Sequence, residues 1–330
     1  MKRVMLSIAM GTLLLAPGAE AQQSKNPIEI KEWEVPWGAD GRPRDPFAYE
    51  GRVWFVGQAG NYVAYLDPSS GEFKRYEIEE GTHPHNLIVD ERGVWYSGNM
   101  NGRIGLLNPE TGAIRTFMMP DEAARDPHTL VFANDGTLWF TVQQGAFIGH
   151  LVPATGDVHL VKTPARSRPY GINLDPNGRP WAVLFGTNQF ATVDAKTMEL
   201  KTYASPREDA RLRRMEVTTD GKLWGVDYAK GFLVRFDPAT GQFKEWAMPS
   251  GAQARPYATE VDDRGRIWFV ETGVQPNNFV GFDPKTESFF SLTPIPSGGG
   301  TVRHMYFEPS LREIWFGTDV GTIGKAMIPK

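Results

Sequence analysis

The sequence predicts an all-β protein, a seven-bladed β-propeller, on three observations. Seven tryptophans, Trp54, Trp95, Trp139, Trp181, Trp224, Trp268 and Trp315, stand 41, 44, 42, 43, 44 and 47 residues apart. A period of about 40–45 residues is that of one four-stranded blade per repeat. A turn signal recurs between them, as Asp67-Pro68-Ser69-Ser70-Gly71, Asn108-Pro109-Glu110-Thr111-Gly112 and Asp237-Pro238-Ala239-Thr240-Gly241. Finally, the last repeat stops at Lys330 without a fourth strand, and a segment resembling a fourth strand stands at the other end of the chain.

In chain order, the first 21 residues read as a secretory signal peptide. Lys2 and Arg3 supply the charged start, Val4 to Leu15 is largely apolar, and Ala19-Glu20-Ala21 is a small-x-small cleavage site. The apolar run is too short to span a bilayer, so no membrane anchor is expected. The expected location is the periplasm or the medium. Residues 22–330 are then expected to form one propeller domain and a monomer. Next, 28–36 (Ile-Glu-Ile-Lys-Glu-Trp-Glu-Val-Pro) matches the fourth strand Phe243-Lys244-Glu245-Trp246-Ala247-Met248-Pro249. It is expected to complete the last blade and so remove the open sheet edge.

The sixth repeat shows the blade plan. Tyr257 to Val261 opens the first strand, and Asp262-Asp263-Arg264-Gly265 turns the chain. Ile267 to Glu271, Phe279 to Phe282 and Phe289 to Leu292 follow as the second, third and fourth strands. In the third turn Pro presets a dihedral, Asp or Asn caps, and Gly takes the positive φ. The tryptophans are expected to pack between neighbouring blades.

Composition narrows the function. There is no cysteine, hence no disulfide and no thiol nucleophile. The net charge is −4, and it is −5 for the chain from Gln22, with 33 basic and 38 acidic residues. No basic stripe is present, so nucleic acid is not an expected partner. The expected partner is a small molecule or peptide in the central funnel.

A propeller collects one residue per blade on its axis. The start of each first strand and the end of each second strand are expected side by side at one mouth. At the first of these positions stand Asp45, His85, His128, Tyr170, Arg213, Tyr257 and His304; at the second, Asp227 and Glu271 are charged. No aliphatic residue occurs in the ring of seven, which points to a polar funnel that holds substrate. Asp45, His85, His128 and His304 fall on one arc, where His85, His128 and His304 form an alternative metal set or supply a base. His83, His150 and His159 are read as surface or turn residues.

The segments Pro127-His128-Thr129-Leu130, Asp135-Gly136-Thr137-Leu138-Trp139-Phe140 and Ile148-Gly149 resemble the virginiamycin B lyase (streptogramin lyase) family. So do Pro84-His85-Asn86-Leu87 with Ile104-Gly105, and Trp268-Phe269-Val270-Glu271. The resemblance runs over about 28 to 330. It implies a seven-bladed propeller that opens a cyclic depsipeptide by elimination at its ester bond, without water and with a magnesium ion. In that family a His takes the α-proton beside the ester carbonyl, and the metal stabilises the charge that develops there. By position, Glu271 matches the family's acid at the end of the second strand and is the implied metal ligand. Tyr257 stands where the base His is expected, Arg213 or Arg214 where another His is expected, and Arg255 where a metal-binding acid is expected. The catalytic candidates are therefore Tyr257, Glu271 and Arg213. Three classes remain: a lyase on a cyclic or ester-containing substrate, a metal-dependent lactonase or oxidoreductase, and a non-catalytic binding propeller.

Overall fold

A computed structural model describes residues 25–330. The expected signal peptide and its cleavage site lie outside the described residues. Seven four-stranded antiparallel sheets follow one another. Blades one to six are contiguous in sequence, as meanders over 43–77, 84–118, 127–162, 169–204, 212–247 and 256–294. The seventh takes three strands from 302–327 and its fourth from Ile30–Glu34.

That closing strand is the one expected from the sequence. It pairs with Thr322–Met327, in a register running from Ile30↔Ala326 to Glu34↔Thr322. Trp33 stacks on Trp315 with centroids 5.6 Å apart. The chain reaches further than expected. Lys25 exchanges backbone hydrogen bonds with Leu292, and the Ile28 N–H donates to Thr293 Oγ1 at 3.0 Å. The N-terminal segment thus straps blade six as well as blade seven.

The tryptophans fill the space between blades, each 0–3% exposed. Trp54 packs with Leu87 and Val94 of the next blade. Each indole also lies on a ring of its own outer strands: Trp95 on Phe117, Trp224 on Trp246 and Trp139 on His150. His150 and His159 are strand residues stacked outward from Trp139 and not turn residues, with His159 on the surface as expected and His150 half-buried; only His83 lies in a connection. Several indole N–H groups are held by the end of the first strand, Trp95 by Asp90 (3.1 Å) and Trp268 by Asp262 (2.9 Å).

The Ile-Gly pair has a steric cause. A Cβ on Gly105 or Gly149 would sit 2.1 Å from Tyr96 or Phe140 of the facing strand. Glycine there makes room for an aromatic ring in the core. The third turn is capped as expected: Asp67, Asn108, Asp194, Asp237 and Asp283 each accept the N–H two residues on.

Candidate functional site

All seven first strands share a break that the sequence does not announce. The first residue of each pairs with the last residue of the second strand, as in Pro256↔Glu271, Pro84↔Gly98 and Val302↔Thr318. A β-bulge follows at once in six blades, and in blade one after a further pair, Arg44↔Val56. The residue three before the one facing each tryptophan is the equivalent hub position. It is Arg44, His85, His128, Tyr170, Arg213, Tyr257 and Arg303. The next residue gives a second tier: Asp45, Asn86, Thr129, Gly171, Arg214, Ala258 and His304.

This corrects the expected ring in two blades. Asp45 and His304 belong to the second tier, and arginines take their places in the first. In blade seven the cause is turn length. The residue facing the tryptophan precedes it by nine positions in blade seven, by eight in blades three to six and by seven in blades one and two. Counting 14 residues back from Thr318 therefore lands one residue late, on His304 instead of Arg303, whereas in blade one the 13-residue spacing of blade two, counted from Gly57, gives Arg44 and not Asp45.

A bulge carries two consecutive side chains into the hub, and the second tier is knitted across the axis. Arg214 donates to Asp45 Oδ2 (3.2 Å), Thr129 Oγ1 (3.0 Å) and the Arg303 carbonyl (3.2 Å). Asp45 also accepts from Arg44 Nε (2.9 Å) and Asn86 Nδ2 (3.0 Å). Burial alone would raise the Asp45 pKa, but Arg44 and Arg214 hold it well below the ordinary carboxylate range. This knot lies between the upper tier and a cavity of about 460 Å³ lined by Asn86, Thr129, Arg214, Glu216, Glu260 and His304 among apolar residues. Within the cavity, burial and mutual repulsion raise Glu216, and burial pushes Glu260 up to about 7.

The upper tier is packed closed. The His85 and His128 rings lie 3.5 Å apart, and the hydroxyls of Tyr170 and Tyr257 share a hydrogen bond. Burial, reinforced by Arg44 and Arg214, drives His85 and His128 well below the usual histidine value, and it takes His304 down to about 3. All three imidazoles are neutral near pH 7. Tyr170 is raised by burial. Burial would also raise Tyr257, but Arg213, Arg44, Arg303 and Arg214 outweigh it and bring the phenol down to about 8. Arg213 lies over the rings of Tyr257 and Tyr228 (4.2 Å each), Phe185 (4.7 Å) and Tyr170 (5.4 Å).

Asp227 and Glu271 do not join this cluster. Both are fully buried. Asp227 caps its own turn by accepting from the Arg211, Ala229 and Lys230 amides. Glu271 accepts from the Ser250 amide (2.9 Å), the Ser250 hydroxyl and Asn278 Nδ2 (3.1 Å). Each fixes the loop that leads into a first strand. Besides Arg44 and Arg303, a set of residues missed by the sequence reading shares one offset, the position just after the second strand. There Gln58 receives Arg44 (2.8 Å), Asp319 receives Arg303 (3.1 Å), and Phe185 and Tyr228 flank Arg213.

The magnesium ion implied by the resemblance finds no fitting ligand set. Among the described residues no three His, Asp or Glu side chains are grouped to hold a metal. Glu271 is committed to Ser250 and Asn278, and four guanidiniums surround Tyr257, where a hard dication would be repelled. His85, His128 and His304 fare no better, since Arg44 and Arg214 sit among them.

Comparison with known proteins agrees with this architecture. The model of the virginiamycin B lyase family matches residues 29–325. No curated protein matches the chain. Virginiamycin B lyase from Staphylococcus aureus superposes with a TM-score of 0.82 at 20% identity, over 92% of this chain and 100% of that one. A streptogramin B lyase structure gives 0.81 at 25% identity, over 93% and 99%. A catalytically inactive variant of the S. aureus enzyme with quinupristin gives 0.80 at 21% identity, over 91% and 100%. With seven blades and a family match over nearly its whole length, this chain belongs to the virginiamycin B lyase family.

Proposed function

We propose that this protein is an exported carbon–oxygen lyase, acting on a small cyclic or ester-containing substrate at the upper mouth of the hub, with Tyr257 as its base. The observation that carries the reading is the environment of Tyr257. Its phenol is brought to about 8 by the surrounding guanidiniums, within reach of a working base near neutral pH. In the elimination, phenolate oxygen takes the proton from the carbon next to the C–O carbon. The C–H electron pair becomes a C=C bond, and the C–O bond breaks with its pair leaving on the carboxylate. Arg213 is the group that would receive that carboxylate. Family membership and the N-terminal segment support the lyase class and export.

The test is incubation of purified protein with cyclic depsipeptides and simple β-acyloxy esters, followed by mass analysis for an opened or cleaved product without added water. The rate should rise with pH through about 8, and Tyr257→Phe should lower kcat/KM by about 10²- to 10⁴-fold. No product from any substrate, or full activity in Tyr257→Phe, would sink it. A non-catalytic binding protein is the second reading, favoured by the closed packing of His85 on His128 and of Tyr170 on Tyr257.

A further inference from the structure

We propose that the upper mouth is an anion site, and that the ligand it takes carries a carboxylate seated on Arg213 with Arg44 and Arg303 behind it. The inference deepens the reading above, since it concerns the same mouth, but it does not require turnover.

The argument begins with unbalanced charge. Arg44, Arg213, Arg214 and Arg303 all act on Tyr257. Against these four cations the cluster sets two carboxylates, Asp45 bridging Arg44 and Arg214 and Asp319 holding Arg303. Arg213 has no ion pair and no hydrogen bond among the described residues. Its charge is met only by the faces of four aromatic rings. Tyr257 as phenolate would offset one positive charge and leave another.

Unsatisfied donors point the same way. Nη2 of Arg44, a side chain only 5% exposed, has no partner, and neither has the buried Nε of Arg213. A buried guanidinium N–H without an acceptor is costly, and an arriving carboxylate would supply one. The nearby acids do not compete, because Asp227 and Glu271 are spent on backbone and Ser250.

The rim repeats the sign. Two residues before the hub position stand Arg42, Arg168, Arg211 and Arg255, all exposed, against one acid, the buried Asp126, which is spent on the Gln144 and Gly145 amides. A mouth lined by one sign of charge focuses its field and draws in the opposite ion. The planar guanidinium fork matches a carboxylate with two parallel hydrogen bonds. The same cations that would repel magnesium are thus the ones that would hold an anionic substrate.

The experiment is calorimetric titration of the whole exported protein at pH 7 and low ionic strength with succinate, with inorganic phosphate in a parallel arm. Succinate should bind with one-site stoichiometry and raise the melting temperature. Arg213→Gln should weaken binding at least about tenfold, as expected for loss of a charge-assisted pair, and Arg213→Lys should recover part of it. Arg92→Gln, a charge change away from the hub, should leave binding unchanged. If Arg213→Gln does not fold, Arg213→Lys and Arg303→Gln carry the comparison. No binding of succinate, binding of phosphate alone, or equal binding by the Arg213 and Arg92 variants would overturn the inference. An inactive protein that still binds succinate through Arg213 would sink the lyase reading and leave this one standing.

Discussion

At the scale of single residues, Asp45 is the side chain on which the hub most depends. It is fully buried and sits between two guanidiniums that are themselves 3–5% exposed. Removing one member of a buried ion group strands the others in a poor solvent. Asp45→Asn should therefore destabilise the fold by about 3–5 kcal/mol, measured as a fall in the denaturant midpoint at unchanged slope. A change below about 1 kcal/mol would show that Arg44 and Arg214 find other acceptors. The sequence did single out Asp45, but for substrate binding, and it gave no sign that Asp45 is the counter-ion of a residue 169 positions away. Periodicity locates a residue on the axis; it says nothing about which other blade its side chain reaches. Arg303 went unnoticed for a simpler reason, since the extra turn residue of blade seven moves the count by one position, and Arg44 because the spacing of blade two was not applied to blade one.

At the scale of elements, the ring is closed by non-covalent pairing alone, as the chain contains no cysteine. The closing strand contributes five register pairs with Thr322–Met327, the Trp33–Trp315 stack, and Glu32 bonds to Thr322 (2.6 Å) and Ser297 (2.8 Å). Without it the seventh sheet would end on an exposed edge and Trp315 would lose its cover. Deleting residues 28–36 should lower the melting temperature by roughly 10 °C or more; an unchanged value would mean that blade seven is stable with three strands. This strand was legible because its Lys-Glu-Trp pattern copies the fourth strand of blade five. The bulges were not legible. They follow from backbone geometry shared by all seven blades, and the residues within them, from Asp45-Pro46 to Arg213-Arg214 and Tyr257-Ala258, have no common chemistry.

At the scale of the whole molecule, the channel is polarised. Arginines gather above the Asp45 knot, and the glutamates Glu216 and Glu260 face the cavity below it. That lower pair gives stability a definite pH dependence. Burial comes first and raises both groups, and Glu260 adds to Glu216 by repulsion; Glu260 is brought to about 7 from an ordinary 4.5. A carboxyl whose pKa is raised on folding keeps its proton in the folded state after the unfolded chain has released it. Its stabilisation is complete below about 4.5 and fades as pH rises through about 7. Glu260→Gln cannot ionise, and it leaves one of the two backbone amides from which the carboxyl accepts, Val261 or Phe307, without its acceptor, a cost that is the same at pH 5 and pH 8. Measured against the parent, its melting temperature should therefore rise by roughly 5 °C between pH 5 and pH 8, with Glu216→Gln shifting the same way because the two acids repel. Asp45 does not blur this window, since its guanidiniums keep it ionised throughout, and Tyr257 begins to titrate only near its upper end. Equal differences between parent and Glu260→Gln at pH 5 and pH 8 would show that both glutamates are solvated in the cavity, and that burial does not govern their protons.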